Sequence, residues 1–379
     1  MKEHQIMVFI GNGFDISVLK KYGKGITTSY DSFYSFFKYK YPESNNNLLI
    51  KQMAKAKAEN KENWSDFEAI LDDKLYSLSG DNKDQINQLS KDLSEIQQAF
   101  SRFLNDVIDN DIINDISKAN DIIVENNENC AKRLLKGSFL RDLSKEQYEV
   151  MRFHNNFDNN ESIKYTFINF NYTSLLDNYL YLEKEIFDPI PYSTSNNNII
   201  LDLNPNRYEK HCGFRDPYMQ LMPVYIFHPH GTQDVPKSLL FGIENKNYCK
   251  PRDYRRVFVK SLWAQCQSKY HNMFNETELF IIYGCSIGKS DNWWWSRIYK
   301  RLISENPAEL IIYIYGNENE NVIKEKFIAN CCLENDDIQK TEQAINNIYI
   351  VNFEPDCEIK GEFMSLPELN TYNHSLKEV

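Results

Sequence analysis

The sequence predicts an α/β fold, a doubly wound, mostly parallel sheet interrupted by a large helical insertion. Three observations carry this expectation. A buried-strand run ending in a glycine turn, "MVFIGNGFD", occupies residues 7–15. From about residue 160 onward, short apolar runs alternate with helical patterns, as in parallel strands joined by crossover helices. Between these regions, residues 48–152 show helical periodicity and almost no strand signal.

The first strand, about residues 6–10, runs into Gly11. Thr28 or Ser29 then caps a helix with Tyr30, Phe33, Phe36 and Phe37 on one side. Pro42 and the Asn-rich "ESNNNLL" mark a break. In the helical stretch, Trp64, Phe67, Leu71 and Leu75 share one helix face, and Ile86, Leu89, Leu93, Ile96 and Phe100 share another. Only Gly80 and Gly137 interrupt it. Strand signals return at "YTFINFNYT", residues 165–173, followed by the helical "SLLDNYLYLEK". Three short apolar runs, "NNIILDLN", "PVYIFHPHG" and "SLLFGIE", read as further strands. A helix over about 254–274 leads to the strand "ELFIIYGCS". A helix from near Asp291, the strand "ELIIYIYG", a helix near 319–331 and the strand "NIYIVNFE" complete the alternation. The first strand is expected in the same sheet, with right-handed crossovers. The chain thus divides into a sheet domain of residues 1–43 and 160–379 and a helical insertion of residues 44–159.

Composition narrows the function. The 379 residues are 42% hydrophobic and 26% charged, with a net charge of −11. So acidic a chain lacks the basic footprint that duplex nucleic acid or an anionic membrane attracts. Its basic cluster, Arg252, Arg255 and Arg256, reads as a solvated helix face. None of the eight cysteines forms a C-x-x-C pair, and no apolar run is long enough for a leader or a membrane span. A cytoplasmic protein with reduced thiols is expected.

In open α/β sheets, ligands bind beyond the carboxyl ends of the strands. Beyond the first strand stand Gly11, Asn12, Gly13, Phe14 and Asp15. Beyond the next come Asn169, Phe170, Asn171, Tyr172 and Thr173. His228, Pro229, His230 and Gly231 follow "VYIF", and Gly284, Cys285 and Ser286, with Lys289 to Asp291, follow "LFIIY". Together these turns outline a pocket rim, although each alone has a plain structural reading. "GNGFD" keeps two glycines of the dinucleotide fingerprint G-x-G-x-x-G but has Ile16 at the third, which disfavours a hydride-transfer enzyme. "GCSIGKSD" has one residue too few between its glycines for a phosphate-binding P-loop. His230 or His228 suits a general base, while either also suits a structural role. Asn169 and Asn171 offer paired donors and acceptors for a water or carboxamide, or they cap turns. No H-E-x-x-H pattern occurs, so no metal is expected. In "NWSDFE", Asp66 and Glu68 complement a helix dipole.

The ordered set "FIGNGFD", "TSYDSF", "NWSDFE", "FNYTSLLD", "HPHGTQD", "LLFGIE" and "IYGCSIGKSD" resembles the AbiH family of bacteriophage abortive-infection proteins over residues 8 to about 300. More remotely, the same landmarks are similar to the Rossmann-like, sirtuin-like NAD-binding fold. That likeness implies a nucleotide-binding sheet domain in which Gly11 and Gly13 border a diphosphate. By it, Asn171 lies beside the nicotinamide ribose, His230 activates water, and Gly284, Ser286 and Asp291 contact the adenosine end. Asn12, Phe14, Asp15, Asn169, Tyr172 and Gly231 complete the expected ligand contacts. Three departures stand out: Asn12 and Phe14 replace small residues, Thr173 replaces a carboxylate, and the zinc module of deacetylating sirtuins is absent.

The resemblances imply an antiphage protein that binds NAD as ligand or substrate and hydrolyses its nicotinamide glycosidic bond, with Asn171 and His230 as catalytic residues. The helical insertion is then a candidate lid or sensor. A phage-derived trigger and a second copy of the chain are candidate partners. Two other readings stay open: a sensor that binds a nucleotide or ADP-ribose without cleaving it, and, less favoured by the acidic charge, a nuclease.

Overall fold

The computed structural model describes residues 3–23, 25–42, 46–60, 66–122, 124, 129–135, 137–153, 162–181, 224–331, 338–353 and 362–369. Among the described residues, six strands form one sheet: β1 (Glu3–Ile10), β2 (Ser162–Asn169), β3 (Val224–Phe227), β4 (Thr277–Tyr283), β5 (Glu309–Tyr315) and β6 (Ile348–Phe353). Their order is β3-β2-β1-β4-β5-β6, and every pairing is parallel. Strand order reverses between β1 and β4, the point at which a doubly wound sheet opens a crevice. Ile10 pairs in register with Asn169 on one side and Tyr283 on the other, so the turns beyond β1, β2 and β4 lie level on one edge.

The helices follow local sequence signals. After β1 come α1 (Asn12–Tyr22) and α2 (Tyr30–Lys40), the latter capped by Ser29, whose hydroxyl accepts from the Ser32 amide. The helical region continues with α3 (Leu48–Ala58), α4 (Phe67–Tyr76), α5 (Lys83–Val107), α6 (Asn110–Asp121), α7 (Cys130–Leu135) and α8 (Lys145–Val150). Asn47, Asp66, Asn82, Asp109 and Ser144 cap α3, α4, α5, α6 and α8 with side-chain oxygens. Beyond β2 stand α9 (Leu175–Leu180), α10 (Lys260–Trp263), α11 (Cys266–Lys269), α12 (Met273–Glu276), α13 (Asn292–Leu302), α14 (Glu320–Asn330) and α15 (Ile338–Asn346).

Alternation along β1 assigns the two faces of the sheet. Ile6, Val8 and Ile10 join the core built with the helical region, where Phe33, Phe100 and Phe103 pack ring against ring. Met7 and Phe9 join the opposite core with Trp294, Trp295 and Phe327. Both faces of β1 are covered, which accounts for its uninterrupted apolar run.

Two sequence expectations fail here. "SLLFGIE" forms no strand; Ile243 makes a single parallel bridge to Val259 instead. The helix expected over 254–274 is a 3-10 turn at Tyr254–Phe258 followed by α10, α11 and α12. The causes are linked. Phe258 and Lys260 give their carbonyl and amide to Ile243, and Gln265 takes a left-handed φ of 54°, so one continuous helix cannot form. The expected strand "NNIILDLN" and the helix-face residue Trp64 lie outside the described residues.

Candidate functional site

A cavity of about 1140 Å³ opens at the switch point, room enough for a nucleotide-sized ligand. The sheet turns and the helical region both line it: Gly11, Asn12, Gly13, Asp15, Asn171, Tyr172, His230, Gly284, Ser286 and Asp291 from the former, Glu68, Phe100 and Leu104 from the latter. Three expected ligand contacts do not reach it. Phe14 is fully buried against Tyr179, Asn169 holds its oxygen on the Asn171 amide, and Gly231 packs into its own turn.

The first turn is built by contact with the turn beyond β4. Gly11 donates its amide to Tyr283 O and Gly13 to Gly284 O, each at 2.9 Å, while Phe14 donates to Gly11 O. A Cβ on Gly11 would lie 2.5 Å from Gly284 O, and Gly284 itself has a φ of 68°. The glycines therefore serve close backbone approach between two turns. Two amides of the turn, those of Gly11 and Gly13, are spent on that packing, and that of Phe14 closes the turn on Gly11. Asn12 turns its amide toward Thr28, whose hydroxyl donates to Asn12 Oδ1 at 2.5 Å.

Beside this turn lies a buried carboxyl. Asp15 accepts from Asn171 Nδ2 at 2.8 Å and from Thr173 Oγ1 at 2.7 Å. Asn171 donates its other amide proton to Gly11 O at 3.1 Å, which leaves its oxygen as the group it can offer a water. Burial pushes Asp15 up to about 7, against the lowering effect of its two hydrogen-bond donors. Thr173 thus stands against a carboxylate contributed by the first turn.

Four further side chains converge from separate elements. Lys260 Nζ contacts Glu68 Oε1 at 2.5 Å and Asp291 Oδ1 at 3.1 Å. His230 Nε2 lies 3.2 Å from the same Asp291 oxygen, an ion-pair distance without hydrogen-bond alignment, and among the described residues this buried nitrogen has no hydrogen-bond partner. The His230 ring stacks on Phe170 at 4.7 Å between centroids. Burial raises Glu68 against the pull of Lys260. Burial works the same way on Asp291, but Lys260 and His230 outweigh it and hold that carboxyl well below its ordinary range. The two carboxyls around Lys260 favour positive charge on a bound ligand, most strongly when Glu68 is ionised.

The two histidines of "HPHG" separate cleanly. His228 bonds Asp177 Oδ1 at 3.1 Å and does not line the cavity. Burial disfavours its charge, yet Asp177 raises it above the ordinary histidine value. A further group of lining side chains is basic and aromatic: Lys20 lies 5.4 Å from the Tyr315 ring, Lys21 pairs with Glu368, and Lys326 stands nearby in the lining.

Sequence reasoning missed Lys260 as a site residue and read Glu68 as a dipole partner. Each carried a signal. Glu68 shares the helix face of Phe67 and Leu71, and Lys260 interrupts the apolar "VFVKSLW". A charge in such a place needs a partner. Among the described residues, no cluster of three or more His, Cys, Asp or Glu could hold a metal ion, and no helix is long and apolar enough to cross a membrane.

The family model described as "Bacteriophage abortive infection AbiH" matches residues 7–314. No curated protein and no solved structure matches the chain.

Proposed function

The chain belongs to the AbiH family of bacteriophage abortive-infection proteins, and from that premise we propose that its cavity binds an NAD-like dinucleotide and hydrolyses the nicotinamide glycosidic bond. The observation that carries this reading is the meeting of His230, Asp291, Lys260 and Glu68 in one large cavity at the sheet's switch point.

The bond to be broken joins the ribose anomeric carbon to a positively charged pyridinium nitrogen. Its electron pair leaves with the nicotinamide, which departs neutral, and positive charge develops on the ribose. Asp291 and Glu68 suit that charge, because carboxylates fixed in a water-poor site stabilise a developing cation strongly. Water adds to the anomeric carbon, and its proton passes to His230, whose imidazolium Asp291 then stabilises. Asn171 offers its oxygen to orient the water and, through its donors, holds Asp15 in place. The Gly11, Gly13 and Phe14 amides being occupied, the diphosphate falls to Lys20, Lys21 and Lys326. Loss of a shared cofactor in the cytoplasm would arrest an infected cell, with a phage-derived trigger releasing the activity.

Calorimetric titration with NAD and ADP-ribose tests the binding step. Saturable binding weakened about tenfold or more by Lys20→Ala/Lys21→Ala supports the reading, tenfold being about 1.4 kcal/mol, at least the effect of one lost charge-assisted contact. Binding of neither ligand contradicts it. Saturable binding with no nicotinamide release in any condition, infected cells included, favours the non-catalytic sensor.

A further inference from the structure

The loop that carries His230 is held from outside by the helical region. Gln97 Nε2 donates to Leu239 O at 2.6 Å, Ser101 Oγ donates to Gln233 O at 2.8 Å, and Asn105 Oδ1 accepts from Gln233 Nε2 at 3.0 Å. These three residues are spaced four apart on α5 and so share one face of the helix. Ser101 is buried, in a helix whose other buried residues are almost all apolar. A buried hydroxyl in such a seam is costly unless hydrogen-bonded, and its partner here is the Gln233 carbonyl of the His230 loop.

Inside the loop, the geometry transmits that grip to the imidazole. Leu240 donates its amide to His230 O at 2.8 Å, and Ser238 Oγ accepts from the Thr232 amide at 3.0 Å, closing residues 230–240 into one unit. Gly231, at a φ of 87°, allows the closure, since a Cβ there would sit 2.1 Å from Ser238 O. Tyr172 ties the same unit to the sheet, accepting from the Gln233 amide and donating its hydroxyl to Leu240 O, while Phe100 of α5 packs on the Tyr172 ring. Glu68 of α4 likewise holds Lys260, which in turn touches the carboxylate facing His230.

We infer that Ser101, with Gln97 and Asn105 beside it, is a positioning residue: a polar stripe on α5 fixes the His230 loop, so that the site is assembled only while the helical region is docked. A displacement of α5 misplaces the imidazole, which gives a trigger a place to act. The consequence for catalysis rests on His230 being the proton acceptor proposed above; the positioning itself does not.

The test compares Gln97→Leu/Ser101→Ala with Ser101→Thr, which keeps the hydroxyl, in the full chain. Hydrogen exchange over residues 231–240 and the imidazole proton resonances of His230, assigned by their loss in His230→Ala, report the loop without any ligand. The double variant is expected to exchange about tenfold faster there, as for the loss of roughly one to two hydrogen bonds, and to move the His230 resonances, with Ser101→Thr close to the parent. In NAD cleavage it should lower kcat while KM stays within about twofold, the pattern of a lost transition-state group. A double variant that loses global stability but keeps parental His230 resonances and loop exchange overturns the inference. If no form releases nicotinamide, infected cells included, the hydrolysis reading falls, while the resonances and exchange rates still decide the positioning.

Discussion

Gly13 donates its amide to the carbonyl of Gly284 at 2.9 Å, and a Cβ on Gly13 would meet Gly284 Cα at 2.6 Å. The two glycines, far apart in sequence, make one backbone junction at the sheet's switch point. Gly13→Ala should therefore destabilise the protein by about 1–3 kcal/mol, as overpacking does when backbone must give way. Urea unfolding measures it, and an unchanged midpoint would show the junction to be slack.

Lys260 is buried between two carboxylates. Lys260→Met leaves Glu68 and Asp291 close together without their shared ammonium, a situation that costs about 3–5 kcal/mol. The loss should shrink as pH falls, because burial raises Glu68 and favours its protonated, uncharged form. Adding Glu68→Gln to Lys260→Met should recover part of the stability at pH 7. Unfolding curves of both variants at pH 5 and 7 check this.

Asp15 gives the protein a pH slope of definite sign. Burial lifts its folded value to about 7 from an ordinary 3.8. Between those values the folded chain binds the proton that the unfolded chain has released. This contribution to stability is present below pH 3.8 and is lost as pH rises toward 7, at ~1.4 kcal/mol per pH unit at most. Asp142, raised by burial to about 6, acts in the same direction over a narrower range. Asp15→Asn should remove its share, so the variant gains on the parent steadily from pH 4 to pH 7. Parallel stability profiles would refute the assignment.

These features differ in how far the sequence discloses them. The strands were legible because β1, β4, β5 and β6 are buried on both faces and carry continuous apolar runs. The four turns stood out by their glycines and polar residues. What stayed hidden depends on partners distant along the chain. Ile243 draws Val259 out of a helix, and no local pattern announces it. Asn171 looked like a free strand-end amide, yet Gly11 and Asp15 take both its protons. Glu68 and Lys260 were each explicable alone and acquire meaning only as a pair.

His228 and His230 sit two residues apart with different surroundings, one on Asp177 and one on Asp291. His228→Ala should retain nicotinamide release within about threefold, whereas His230→Ala should lose on the order of 10²-fold or more, the usual weight of a general base. Steady-state assays of the two variants distinguish them. Equal losses would move the proton acceptor elsewhere.

The most direct measurement follows NAD, nicotinamide and ADP-ribose by mass spectrometry in phage-infected cells carrying the parent protein or His230→Ala. The account predicts that NAD falls while nicotinamide and ADP-ribose rise with the parent alone, and that His230→Ala loses protection against the phage. Protection by the parent with NAD unchanged would contradict it.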